Sequence, residues 1–84
     1  MAVVFVQIQC RPGTTYKVSD KISELEIHSE MYSTSGEYDL LIKIFVPTGQ
    51  DIGLFIQDNL HGIDEIVRTH TTIAFSTIPP RNAS

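Results

Sequence analysis

The spacing of apolar residues switches along this chain between the two-residue period of a strand and the three-to-four-residue period of a helix. The order is strand, helix, strand, strand, helix, strand. Within residues 2–10, Val4, Val6, Ile8 and Cys10 alternate with Phe5, Gln7 and Gln9, which gives a strand with one wholly apolar face and one mixed face. Arg11, Pro12 and Gly13 break it: proline fixes φ, glycine opens the turn, and Thr14 or Thr15 is placed to cap a following helix. Val18, Ile22 and Leu25 recur at helical spacing with Lys17, Asp20, Lys21 and Glu24 opposite, so a helix is expected over residues 14–25.

Residues 33–46, STSGEYDLLIKIFV, read as the turn and second arm of a hairpin. Its first arm, residues 27–33, is diluted by His28, Ser29 and Glu30 and needs partners to become a strand. In the second arm Leu40, Ile42, Ile44 and Val46 form one face, and Leu41, Lys43 and Phe45 the other. Pro47 ends it, and Thr48 with Asp51 has the form of a capping box with the shorter acid. Ile52, Phe55, Ile56 and Leu60 mark a second helix, with Gly62 just past its end. The β-branched run over residues 66–78 is expected as one long strand stopped by Pro79 and Pro80. Each helix then crosses between strands that must lie parallel. The expected fold is α+β, a ferredoxin-like βαββαβ sandwich in which a four-stranded antiparallel sheet carries both helices on one face. Residues 1–78 form one domain and residues 79–84 a flexible tail.

A chain of 84 residues buries only about two thirds of the surface its unfolded form exposes. Against that size, 42% hydrophobic and 19% charged residues are apolar enough to imply cover by other subunits. If the helices cover Val4, Val6 and Ile8, then Phe5, Leu41 and Phe45 lie on the bare face, and a second copy laid against it is the expected dimer. The net charge of −4 and the scattered Lys and Arg argue against direct binding to DNA or to anionic membranes. The first residues carry no basic segment and alternate with Gln7 and Gln9, so they read as a strand rather than a signal. No apolar run approaches the roughly 20 residues of a membrane helix. The single cysteine, Cys10, fits a reducing compartment and reads as a buried small hydrophobe. A cytoplasmic location is expected.

No catalytic or metal constellation stands out. His28, His61 and His70 fall in separate elements, and Gly49 and Gly53 lack the pattern of a phosphate loop. What remains is polar. Thr34, Ser35, Gly36, Glu37, Tyr38 and Asp39 place an acid pair and backbone donors at one turn, where Gly36 is expected to take a positive φ. Arg68, Thr69, His70, Thr71 and Thr72 form a polar band early in the last strand. An α-amino acid needs an acid for its ammonium and donors for its carboxylate, which the two segments together can supply, Thr69 and Thr71 being the expected contacts in the band. Two plainer readings stand beside this one. Asp39 can serve only as a local cap of its turn, and threonine is favoured in strands whatever the function.

The run Tyr32, Ser33, Thr34, Ser35, Gly36, Glu37, Tyr38, Asp39, Leu40, Leu41, Ile42, Lys43 resembles the Y-x-x-T-G-E-Y-D-L-L-x-K stretch of the ligand-binding domain of Lrp/AsnC regulators. Arg11, Pro12, Gly13 and Arg68, Thr69, His70, Thr71 match that domain's R-P-G and R-T-x-T positions, and the likeness spans residues 3–77. Two departures are visible: Ser35 stands for a threonine, and Ile63, Asp64, Glu65, Ile66 stand where Ile-Pro-Gly-Val is common, so that turn must form without Pro or Gly. The resemblance implies a domain that dimerises through its sheets, assembles into rings of dimers, with an octamer expected, and binds an amino acid or related small effector between dimers. It implies no cofactor. The chain starts directly on the first strand, so the resemblance further implies a stand-alone effector domain that joins or titrates full-length regulators of the family. The competing expectation is a small dimeric ferredoxin-like enzyme, a monooxygenase or isomerase, with His70 facing a cavity between helices and sheet.

Overall fold

β1 (Ala2–Cys10) is the spine of the sheet, because its apolar face meets both helices while both of its edges are hydrogen-bonded. The structure, a computed structural model, describes residues 1–81. Around β1 come α1 (Thr15–Leu25), β2 (His28–Ser33), β3 (Leu40–Val46), α2 (Ile52–Leu60) and β4 (Ile66–Ala74). The sheet order is β2-β3-β1-β4 and all three pairings are antiparallel, which is the expected ferredoxin-like sandwich. Val4, Val6, Ile8 and Cys10 of β1 pack with Leu40, Ile42, Ile44 and Val46 of β3, with Val18 and Ile22 of α1 and with Ile56 and Leu60 of α2. Every buried side chain among the described residues is apolar.

Several local expectations change. The Thr14 hydroxyl donates to the Arg11 carbonyl at 2.7 Å and caps no helix donor, so α1 starts at Thr15 without a side-chain cap. The cap of α2 is Asp51 itself, whose Oδ1 accepts from Leu54 N–H at 2.9 Å. Thr48 sits too early because a turn through Gly49, at φ +92°, occupies residues 47–50, and its hydroxyl instead accepts from the N-terminal ammonium. Gly62 is not a left-handed stop: α2 ends on His61 in a right-handed conformation, its N–H on the Gln57 carbonyl. The turn into β4 over residues 63–66 forms without Pro or Gly, Ile66 N–H donating to the Ile63 carbonyl.

The last strand is shorter than its β-branched run. Ala74 pairs with Val3, next to the start of β1, so residues 75–78 have no neighbour to pair with. Phe75 is fully exposed and Ile78 86% exposed as a result. Strand propensity needs a ladder to act on. Of the tail expected over residues 79–84, residues 82–84 lie outside the described residues, and Pro79, Pro80 and Arg81 are exposed and in neither helix nor strand.

The face away from the helices carries Phe5, Leu41 and Phe45, as expected, with Phe45 41% exposed. It is not evenly apolar. The register sets Val3, Phe5, Phe45 and Ala74 at one end, and Gln7, Gln9, Arg68 and His70 at the other. Between them Lys43 pairs with Glu30 at 3.3 Å and lies over the Phe45 ring at 5.3 Å, and the Tyr32 hydroxyl donates to Glu30.

Candidate functional site

The turn between β2 and β3 is closed from inside. Thr34 N–H donates to the Asp39 carbonyl at 2.9 Å, and the Thr34 hydroxyl donates to the Tyr38 carbonyl at 2.9 Å. Gly36 takes φ +97°, and a Cβ there would meet nothing within 4 Å, so backbone conformation alone calls for glycine.

Asp39 ties this turn to the end of β1. Its N–H donates to the Ile8 carbonyl at 2.8 Å, and its Oδ2 accepts from Cys10 N–H at 2.7 Å, 29 residues away in sequence. The bond falls where the β1–β4 register shifts, between Gln9 and Cys10. Asp39 is therefore not a local cap of its own turn. Burial first, and then the Asp39 charge, push the Cys10 thiol above its ordinary value, with a Thr15 hydrogen bond opposing them. That makes Cys10 an inert member of the core rather than a nucleophile.

The same turn reaches across the end of β1 to β4. Glu37 forms an ion pair with Arg68, the Arg68 guanidinium lies over the Tyr38 ring at 5.3 Å, and the Tyr38 and His70 rings are 6.3 Å apart. Thr69 and Thr71 are elsewhere. They pair with Ile8 and Val6, on the helix side of the sheet, and with Ile52, Ile56, Ile66 and Ile73 they line an open groove of about 630 Å³ between α2 and β4. The turn thus meets Arg68 and His70, and the two threonines do not join Thr34, Ser35, Gly36, Glu37, Tyr38 and Asp39. Strand alternation in β4 was the signal that separates 68 and 70 from 69 and 71. Only the fold tells onto which face the turn closes.

His70 pairs with Gln7, on the face away from the helices, and so does not face a helix–sheet cavity as an enzyme of the expected kind requires. Among the described residues no group of three His, Cys, Asp or Glu is arranged to hold a metal, and no helix is long and apolar enough to cross a membrane. Away from the turn, Lys17 and Lys21 of α1 stand 3.2 and 2.8 Å from Glu65, and their hydrogen bonds hold its carboxyl down at about 2.

A family profile described as the Lrp/AsnC ligand binding domain matches residues 3–84. The chain belongs to that family. The HTH-type transcriptional regulator FL11 of Pyrococcus abyssi is 28% identical to it over 75 residues, which are 89% of this chain and 49% of the relative. The chain thus spans about half the length of the curated regulators it matches. Among solved structures, TTHA0845 from Thermus thermophilus superposes with a TM-score of 0.80 at 26% identity, covering 95% of this chain and all of that one. The transcriptional regulator NMB0573 from Neisseria meningitidis, solved as its L-Met complex, shares the fold at a TM-score of 0.79 and 14% identity, with 94% and 53% covered.

In this Lrp/AsnC ligand-binding domain the turn offers two carboxylates of unlike standing. Asp39 has one oxygen on Cys10 N–H and the other without a hydrogen-bond partner among the described residues. Glu37 is matched by a cation. One acid held in place, one acid in an exposed pair and one guanidinium stacked on an aromatic ring can together meet a small molecule carrying both charges.

Proposed function

We propose that this domain is the effector-binding part of a transcriptional regulatory system, that it takes a free α-amino acid at the Thr34–Asp39 turn, and that binding alters its assembly with other copies. The observation that carries the reading is the fixed Asp39 carboxylate, bonded on one oxygen to Cys10 N–H of β1 and without a hydrogen-bond partner on the other among the described residues, in the same turn whose Glu37 pairs with Arg68. An ammonium received there gains a charge-assisted hydrogen bond from an acceptor that needs no reordering. Two further facts support it: the curated relatives carry the names of transcriptional regulators, and one protein of the same fold was solved with L-Met.

Assembly in this reading begins with a dimer that buries the apolar end of the open sheet face, Val3, Phe5 and Phe45, against a second copy, with Leu41 at its margin. Dimers then close into rings, with the effector at the contact between them and full-length regulators of the family as partners. A ligand that binds one assembly better than another shifts the population by its differential affinity. The domain acts by binding and carries out no reaction.

A thermal-shift screen of the purified chain against the twenty amino acids, at fixed chain concentration, tests the proposal. A ligand at about 100 times its Kd stabilises by about 2.7 kcal/mol, which in a domain of this size raises Tm by roughly 10–20 °C. Light scattering should show a change of mass with the same ligand. Twenty flat responses would reject the amino-acid reading.

A further inference from the structure

The Glu37–Arg68 pair is poorly placed to be a structural brace. Its side chains are 65% and 48% exposed, and an exposed ion pair of this kind changes an equilibrium by no more than about fivefold. Glu37 moreover follows directly on the turn at Gly36, whereas Arg68 has a second contact, its guanidinium lying 5.3 Å from the centre of the half-buried Tyr38 ring. When Glu37 leaves, Arg68 loses an anion and keeps its stacking partner. A guanidinium so presented matches the planar fork of a carboxylate.

Building on the amino-acid reading, we infer that Arg68 is the anchor for the ligand's α-carboxylate and that Glu37 is an internal carboxylate which the ligand displaces. The charges explain the selectivity this produces. Before binding, the turn holds Glu37 and Asp39 against one Arg68, a net of one negative charge, which repels a simple carboxylic acid. A simple amine meets Asp39 but leaves the Glu37–Arg68 pair closed and gains nothing from it. Only a molecule with both an ammonium and a carboxylate opens the pair and is met on both sides, with Asp39 on the ammonium. The displaced pair therefore reads the backbone end of the amino acid and leaves its side chain for neighbouring surfaces to select.

Calorimetric titration of the full chain tests this, using the twenty L-amino acids singly and then the methyl ester of each that binds. The ester keeps the ammonium and side chain but has no anion for Arg68, and is expected to bind about 10- to 100-fold more weakly than the acid. Arg68→Gln should weaken the acid by the same factor and not weaken the ester, so that the acid loses its advantage. Glu37→Gln, which removes the competitor, should tighten the acid by about two- to fivefold and leave the ester unchanged. If acid and ester bind the unmutated chain equally, Arg68 is not the anchor, although the amino-acid reading stands. Acid binding that survives Arg68→Gln at full strength overturns the inference in the same way. If no amino acid binds either the unmutated chain or Glu37→Gln, the reading itself falls and the inference with it. Should Arg68→Gln fail to fold, the ester comparison in the unmutated chain decides alone.

Discussion

Asp39→Ala and Asp39→Asn separate the two duties assigned to one carboxylate. Oδ2 of Asp39 lies 2.7 Å from Cys10 N–H in a part-buried position at the end of β1. Alanine removes the acceptor and leaves that donor unpaired, a loss of about 1–3 kcal/mol. Asparagine keeps an amide oxygen at the same reach, so only the difference between a charged and a neutral acceptor is lost, about 0.5–1.5 kcal/mol. Urea unfolding at fixed chain concentration without ligand measures both: with a slope of about 1–3 kcal/mol per molar, a 2 kcal/mol loss moves the midpoint by roughly 1 M. The alanine variant must be the less stable of the two. In calorimetry with the best amino acid from the screen, Asp39→Asn should lose about 1.5–3 kcal/mol of affinity, since the ammonium meets a neutral amide. Equal stability of the two variants would falsify the β1 tether, and full ligand affinity in Asp39→Asn would remove Asp39 from the site.

Glu65, held at about 2 by Lys21 and Lys17, has a folded pKa below its ordinary 4.5, so its contribution to stability is complete above pH 4.5 and is lost as pH falls toward 2. Thermal melts across that window should fall more steeply for the unmutated chain than for Glu65→Gln, and parallel curves would contradict the assignment. Gly36→Ala places a Cβ in open space but at φ +97°, so a loss of about 1 kcal/mol from backbone strain is expected by denaturation, and no loss would mean the turn relaxes freely. Phe45→Asp sets a charge in the apolar end of the open sheet face and should turn the proposed dimer into monomer by light scattering. A dimer that persists would move the interface elsewhere.

The strands and helices were legible because the apolar period changes cleanly. β1 and β3 begin and end where alternation begins and ends, at Ala2 and Cys10 and at Leu40 and Val46. Misreadings arose where a residue's behaviour depends on a distant partner. Residues 75–78 have strand character and no strand beside them, and Thr48 has a capping side chain but precedes a turn rather than a helix. The site was half legible. Glu37 and Asp39 stand out as acids at a glycine turn, yet Arg68 and Cys10 become their partners only because the turn folds over the end of β1. Thr69 and Thr71 were grouped with the turn as donors for a ligand carboxylate, but neighbours along a strand point opposite ways, and the two lie on the helix side of the sheet.

The bond between Asp39 and Cys10 also sets how this domain can be re-engineered. If Asp39 also receives the ligand as proposed, it cannot be traded for a new specificity, since any shorter or apolar replacement gives up the bond to Cys10 along with affinity. In the proposed site Glu37, whose pair with Arg68 is exposed, is instead the position at which overall affinity would be tuned. Selectivity among side chains is best rewritten on the exposed rim, at Ser35 for example, whose side chain makes no hydrogen bond among the described residues. A library that fixes positions 36, 39 and 68 and varies 35 and 37 would search new effectors while leaving the hairpin anchored to its sheet.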